Sequence, residues 1–286
     1  MIDLHTHSRA SDGTDTPTEL VGKAAAAGID VLAITDHDTT SGWAEAEAAR
    51  PAGLTLVTGA EFSCVHTEPD GREISLHVLG YLFDPEHEAL RAERARLRAS
   101  RLGRGEKIVH NLHAAGYPIT WADVTELAAG AAVGRPHIAQ VLVENGVVGS
   151  VSDAFAELLN PNGPYYARKA DTDVRAAIEM VRAAGGVAVF AHPYARRRGP
   201  VVGPPVIAAL AAAGLQGLEV DHPDHSPADR DALRALAADL GLIVTGSSDY
   251  HGTNKPTPLA ADTTAPDQYE RLVAAARGRA PIGPAG

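Results

Sequence analysis

Short apolar runs that each end in a histidine or a carboxylate constrain this chain more than any other feature. Val31-Leu32-Ala33-Ile34-Thr35 stops at Asp36-His37-Asp38, and Val187-Ala188-Val189-Phe190-Ala191 stops at His192-Pro193. Leu215 to Val220 ends at Asp221-His222, and Leu242-Ile243-Val244-Thr245 ends at Gly246-Ser247-Ser248-Asp249-Tyr250-His251. Continuous apolar runs of this length are strands buried on both faces, as parallel strands are. Helical stretches alternate with them. One starts between Thr14 and Pro17 with Glu19 close by, continues through Leu20 to Ala27 and stops at Gly28; others span Thr172 to Ala184, Pro205 to Ala213, Pro227 to Leu240 and Asp267 to Arg277. This rhythm predicts a parallel sheet or barrel with helices outside.

The first strand carries the same signature in denser form. In Met1-Ile2-Asp3-Leu4-His5-Thr6-His7, Ile2 and Leu4 alternate with His5 and His7, so the two imidazoles share a face. Two adjacent imidazoles with no acid between them repel when protonated, and are at ease when neutral and bound to a cation. Asp12 follows in a Ser-Asp-Gly turn that can fold back over the strand end. Strand Leu54 to Val57 leads to Gly59-Ala60-Glu61, and strand Ser75 to Phe83 carries His77. A single histidine at a strand end is ordinary. Its recurrence on every β-unit points to a metal centre at the C-terminal edge, where β/α barrels build their sites.

From Pro85 to Lys169 the rhythm breaks, and only helical patterns are visible. An arginine-rich helix carries Arg91, Arg94, Arg96, Arg98, Arg101, Arg104 and Lys107; further helices lie near Trp121 to Leu127, Pro136 to Glu144 and Ser152 to Leu158. Residues 85–169 therefore read as a helical insertion, with residues 1–84 and 170–286 forming the barrel. With Glu93 and Glu106 interspersed, Arg91 to Arg98 read equally as a solvated face or as part of a ligand surface.

Charge and cysteine usage narrow the chemistry. A formal charge of −11 argues against coating long nucleic acid by charge alone. The one cysteine, Cys64, excludes an intrachain disulfide and a thiolate-rich zinc site. No run approaches a membrane span, and Met1 leads almost directly into a strand, so the expectation is a cytoplasmic protein.

His5-Thr6-His7-Ser8 with Ser11-Asp12-Gly13, Ile34-Thr35-Asp36-His37-Asp38, Gly59-Ala60-Glu61, Ala191-His192-Pro193 and Ser248-Asp249-Tyr250-His251-Gly252 resemble the motifs of the polymerase and histidinol phosphatase (PHP) family of phosphoesterases, and occur in that family's order. The resemblance covers nearly the whole chain. It implies an α/β fold, a distorted (β/α)7 barrel with a helical insertion, holding three divalent ions. One ion would take His5, His7, Glu61 and Asp249. A second would share Glu61 as a bridge and add His77 and His192. The third would take Asp12, His37 and His251. Asp36 would orient a ligand imidazole from behind. Such imidazole and carboxylate sets suit Mn, Fe or Zn. A carboxylate bridging two ions lets them share a hydroxide that attacks phosphorus in line, so Ser247, Ser248 and Cys64 are structural.

The insertion is expected to select the substrate. Gly134-Arg135-Pro136-His137 resembles a Gly-Arg-Pro-His element of the family, and a guanidinium at a helix N-terminus is a good phosphate clamp. Arg101, Arg104, Arg168 and Lys169 are further candidates. His222 and His225 are candidates for binding phosphate or protonating the leaving oxygen. Asp221 stands where relatives carry an aromatic, with Tyr165, Tyr166 and Tyr194 as replacements; His66, His87, His110 and His113 read as ordinary surface or loop histidines.

The architecture is most similar to small stand-alone members acting on nucleotides. The expected ligand is a small phosphorylated nucleotide or a short RNA or DNA oligonucleotide. The expected reaction is release of the 3′-phosphate of adenosine 3′,5′-bisphosphate, 5′-to-3′ trimming of short 5′-phosphorylated RNA, or both. The alternatives are hydrolysis of histidinol phosphate or another small phosphomonoester, or a non-catalytic module that holds metal and phosphate.

Overall fold

The computed structural model describes residues 1–128, 133–160, 163–168 and 170–283. Its strands are β1 (Ile2–Asp3), β2 (Val31–Ile34), β3 (Thr55–Thr67), β4 (Glu73–Tyr81), β5 (Thr172–Asp173), β6 (Val187–Phe190), β7 (Gly217–Asp221) and β8 (Ile243–Gly246). They follow one another around a nearly closed barrel in the order β1-β2-β3-β4-β6-β7-β8, and β5 adds to β3 outside that path. A parallel bridge between Thr6 and Tyr250 draws the two ends together, with the His7 N–H donating to the Tyr250 carbonyl at 2.8 Å. The fold is the distorted β/α barrel the motifs imply.

Helices α1 (Pro17–Ala26) and α2 (Trp43–Ala49) follow β1 and β2. Helices α3 (Glu88–Ala114), α4 (Trp121–Ala128), α5 (Arg135–Glu144) and α6 (Val151–Glu157) lie between β4 and β5. Helices α7 (Val174–Ala183), α8 (Pro204–Ala212), α9 (Pro227–Leu240) and α10 (Pro266–Ala275) follow β5, β6, β7 and β8. The start of α1 shows how local sequence sets these ends. Thr16 Oγ1 accepts the Glu19 N–H at 3.1 Å, the Glu19 carboxylate accepts the Thr16 N–H at 2.8 Å, and Pro17 opens the first turn. Gly28, at φ +75°, supplies the left-handed turn after it.

The continuous apolar runs are buried on both faces for a visible reason. Leu32 and Ile34 of β2 face a core shared with the helices, and Val31 and Ala33 face the lumen with Leu4, Val57, Tyr81 and Val189. The lumen is thus filled, and the Tyr81 hydroxyl donates to the Leu4 carbonyl across it at 2.8 Å. Helices α3 to α6 gather a separate apolar cluster that includes Ile108, Leu112, Val124, Ile138, Leu142 and Leu159.

Three features differ from the expected rhythm. β3 runs unbroken through Glu61, and β4 is antiparallel to both β3 and β6. The cause is a tight connection: Glu68 N–H donates to the Arg72 carbonyl at 2.8 Å and Gly71 takes φ +82°, so the chain reverses at once instead of crossing over. Thr172 and Asp173, expected in the helix, form β5, and Asp173 caps α7 instead. Finally, the Arg91 to Arg98 stretch is not uniformly solvated. Arg94 is buried, donates to the Pro85 carbonyl at 2.7 Å and lies over the Phe83 ring.

Candidate metal centre

The reversal of β4 decides how His77 reaches the rim. In the parallel strands that rim is the C-terminal end. In β4 it is the N-terminal half, so a residue well inside the strand, opposite Ser63, arrives beside Glu61. The other side chains come from the extensions just past strand ends: His5 and His7 beyond β1, His37 beyond β2, His192 beyond β6, and Asp249 and His251 beyond β8. Asp12 folds back in its loop, as Asn254 donates to its carbonyl at 2.9 Å.

Glu61 is the hub. Its Oε2 lies 3.2 Å from the Nε2 atoms of both His5 and His7 and 3.1 Å from His37 Nδ1. Its Oε1 lies 2.7 Å from His77 Nδ1 and 2.9 Å from His192 Nε2. The two oxygens therefore face different groups of imidazoles, as a bridging carboxylate would. Asp249 Oδ1 stands 3.4 Å from His7 Nε2 and 3.5 Å from His5 Nε2. Asp12 faces the remaining corner, with His251 Nε2 at 3.5 Å, His7 Nδ1 at 3.6 Å and His37 Nε2 at 3.7 Å.

The donor chemistry fits divalent cations. His5 Nε2 and His7 Nε2 point at each other 3.0 Å apart. His37 Nδ1 and His77 Nδ1 are buried and close to Glu61, yet aimed so that neither makes a hydrogen bond. Groups with atoms spaced to hold an ion are His5, His7 and Glu61; His37, Glu61 and His77; and His7, Asp12, His37 and His251. These groupings share His7 and His37 more widely than the expected sets, and they leave His192 and Asp249 attached by the distances above.

Electrostatics divide the cage. Burial opposes the charge on Glu61, but His77, His37 and His5 outweigh it and hold the carboxyl well below its usual range. Burial likewise opposes charge on His7, while Asp249 and Glu61 push it up to about 9. Burial drives His37 and His192 down to about 3. His37 and His192, neutral beside ionised carboxylates, are in the donor state that cations require, whereas the carboxylates favour a proton on His5 and His7 that an ion would have to displace.

Around this cage sits a layer of carboxylates that hold its parts. Asp36 accepts the Ser8 N–H at 2.8 Å, the Ser8 hydroxyl at 2.7 Å and the Ser11 hydroxyl at 2.7 Å. It touches no ligand imidazole itself, and reaches His7 only through Ser11 Oγ, 3.4 Å from His7 Nδ1. Asp3 accepts both the N–H and the hydroxyl of Ser248, at 3.0 and 2.6 Å. Asp38 does the same for Ser63, at 2.8 Å each, and receives Arg101 from α3. Asp249 Oδ2 accepts from Arg198 at 2.6 Å and Lys255 at 2.7 Å.

The two histidines considered for acid or phosphate work are otherwise engaged. His225 Nδ1–H donates to the Val220 carbonyl at 2.8 Å and its Nε2 accepts the Tyr194 N–H at 3.1 Å, so no ring atom is left for a substrate. His222 accepts the Asp224 N–H on Nδ1 at 3.0 Å and presents Nε2 to Asp249 Oδ2 at 3.3 Å, fully buried behind the cage. Ser247 and Ser248 bond to Glu219 and Asp3, and Cys64 faces the core.

Beyond Asp12 lies a basic cluster. Burial and the neighbouring charges of Arg101 and Arg135 push Arg104 down to about 10. Arg101 and Arg104 are buried, and neither Nε has a hydrogen-bond partner among the described residues. Arg135 donates to the Leu159 carbonyl at 3.1 Å and lies over the rings of Phe155 and Tyr166. Arg168 is exposed and pairs with Glu73, and Lys169 lies outside the described residues. Sequence reasoning passed over Glu219, Arg198 and Lys255. Only Glu219 had a signal, as the lone charge inside the apolar run Leu215 to Val220.

Comparison with known proteins agrees with this geometry. The PHP domain matches residues 3–181. A 3′,5′-nucleoside bisphosphate phosphatase of Chromobacterium violaceum is 36% identical over 257 residues, covering 87% of each chain. A 5′-3′ exoribonuclease of Haemophilus influenzae is 37% identical over 250 residues, covering 87% of this chain and 89% of its own. A solved structure from Bifidobacterium adolescentis, assigned as a metal-dependent phosphoesterase, superposes with a TM-score of 0.90 at 37% identity over 96% of both chains. The chain belongs to the PHP domain family.

Proposed function

We propose that this chain is a metal-dependent hydrolase that removes the 3′-phosphate from a nucleoside 3′,5′-bisphosphate and trims short 5′-phosphorylated RNA from its 5′ end. His5, His7, Glu61 and Asp249 would hold one divalent ion, Glu61 with His77 and His192 a second, and Asp12, His37 and His251 a third. Bound there, the ions supply an activated water at neutral pH and neutralise phosphoryl charge. His222, Arg198 and Lys255 keep Asp249 ionised and aimed with Oδ1 toward the cage.

The observation that carries the substrate reading is the arginine cluster on the Asp12 side of the cage. Arg101, Arg104 and Arg135 concentrate positive charge beside Asp38, which is bonded to Arg101, and within reach of the charges of Asp12 and Asp171. Crowded guanidiniums with unpaired buried N–H groups suit a second phosphate, held while the first is hydrolysed. Helices α3 to α6 would then act as the cap that selects the ligand. The relatives named above, a bisphosphate phosphatase and an exoribonuclease, support a ligand with phosphates on both sides of the bond that breaks.

Release of phosphate from the monoesters, and of mononucleotides from the RNA, by manganese-loaded protein tests this. The assay compares adenosine 3′,5′-bisphosphate, AMP, histidinol phosphate and a short 5′-phosphorylated RNA, with metal content measured on the same sample. The bisphosphate should exceed AMP in kcat/KM by roughly tenfold or more, the size of one charged hydrogen bond. Equal rates on both, or preference for histidinol phosphate, would overturn the substrate assignment. No release from any ester by metal-loaded protein would overturn the enzymatic reading.

A further inference from the structure

We propose that Glu219 is a positioning residue of the metal centre, whose single carboxylate sets the tautomer of His5 and holds the backbone of His192 in its turn. It rests on the metal-ligand reading of those two histidines. Glu219 sits in β7, between β6 and β8, and is fully buried in the lumen beneath the cage. The ladder with β8 shifts register between Glu219 and Asp221, an irregularity of the kind that re-aims a side chain.

Three donors meet this carboxylate. Oε1 receives His5 Nδ1–H at 3.0 Å and the Ser247 hydroxyl, and Oε2 receives the His192 backbone N–H at 2.7 Å. The His192 backbone N–H can only donate, and a carboxylate that faces it together with a hydroxyl and an imidazole accepts from all three. The proton of a neutral His5 ring must then sit on Nδ1, which leaves the Nε2 lone pair facing His7, Glu61 and Asp249.

The second contact is equally specific. His192 has φ +32° although it is not glycine and it precedes Pro193, a combination that favours extended backbone instead. That turn points its ring at Glu61 Oε1, 2.9 Å away. The hydrogen bond to Glu219 fixes the N–H at the kink. One carboxylate thus governs an imidazole on each oxygen of Glu61. A buried charge adds little stability over an apolar filling, so fold stability alone does not account for an acid here.

Glu219→Gln keeps the shape but accepts from only one of the two histidines, turning its NH2 toward the other. The experiment uses zinc-loaded full-length protein with 15N-labelled histidines, His5 being assigned by loss of its signal in His5→Asn. Wild type should show His5 protonated on Nδ1 and bare on Nε2. Glu219→Gln should lose that signature, and zinc should be held roughly 10–100-fold less tightly in competition with a chelator. A wild-type His5 protonated on Nε2 overturns the proposal, and this result stands even where the variant fails to fold. A folded variant that keeps both the tautomer and the affinity overturns it too, leaving the metal-ligand reading intact. Wild type that retains no zinc sinks both.

Discussion

At the barrel rim, the buried acids Asp3, Asp36 and Asp38 each take the N–H and the hydroxyl of one serine, Ser248, Ser8 and Ser63 respectively. In the helices between β4 and β5, buried Arg101 and Arg104 each keep an Nε with no hydrogen-bond partner among the described residues. The rim satisfies its structural acids internally and leaves imidazoles and three carboxylates, Asp12, Glu61 and Asp249, pointing inward. The helices between β4 and β5 do the reverse, gathering the like charges of Arg101, Arg104 and Arg135 in one place. A chemical step that must not vary belongs on rigid strand tips. On the proposed function, selectivity would then fall to the helices that carry the arginines.

That contrast can be broken in three places. The largest effect is expected from Glu61→Ala, which removes both faces of the hub at once. Losing about 4 kcal/mol of charge stabilisation lowers kcat roughly a thousandfold on every ester. A loss confined to one substrate would show that Glu61 belongs to recognition. Next is Arg104→Ala, which should raise KM for the bisphosphate by roughly 10–100-fold, the scale of a charged hydrogen bond, and leave AMP turnover and ion content unchanged. Equal loss on AMP would place Arg104 with the cage. The smallest effect belongs to Ser150→Ala at the start of α6, where the serine accepts the Asp153 N–H at 3.1 Å. Its loss should cost about 1 kcal/mol of stability in a denaturant melt without altering zinc retention. A drop in retention would tie the insertion's folding to the rim.

Much of the rim was legible because a polar residue directly after an apolar run has few places to go. His37, His192 and Asp249 each leave a strand at the edge where the sheet opens, and they meet there. The direction of β4 was not legible, since an apolar pattern records which faces are buried and not which way the neighbour runs. The same holds for His225: its bonds to Val220 and Tyr194 are backbone contacts that no side-chain spacing reveals. In α3, arginines recur too densely for periodicity to separate Arg94, Arg101 and Arg104, which turn inward, from Arg91 and Arg98. Asp221, standing where an aromatic is expected, pairs with Arg234 at 2.6 Å, and Tyr194 is buried under Arg196. Tyr165 packs against Tyr117, and Tyr166 lies under Arg135, which also covers Phe155.

The aspartate–serine pairs have a consequence for how the protein acquires its metals. Each fastens one stave of the barrel to the next: β8 to β1 through Ser248 and Asp3, β1 to β2 through Ser8 and Asp36, and β2 to β3 through Asp38 and Ser63. The socket is therefore shaped by hoops that contain no cation. Ions can come and go through a vessel that keeps its form, so a stripped protein should be refilled by adding metal and would not have to be refolded around it.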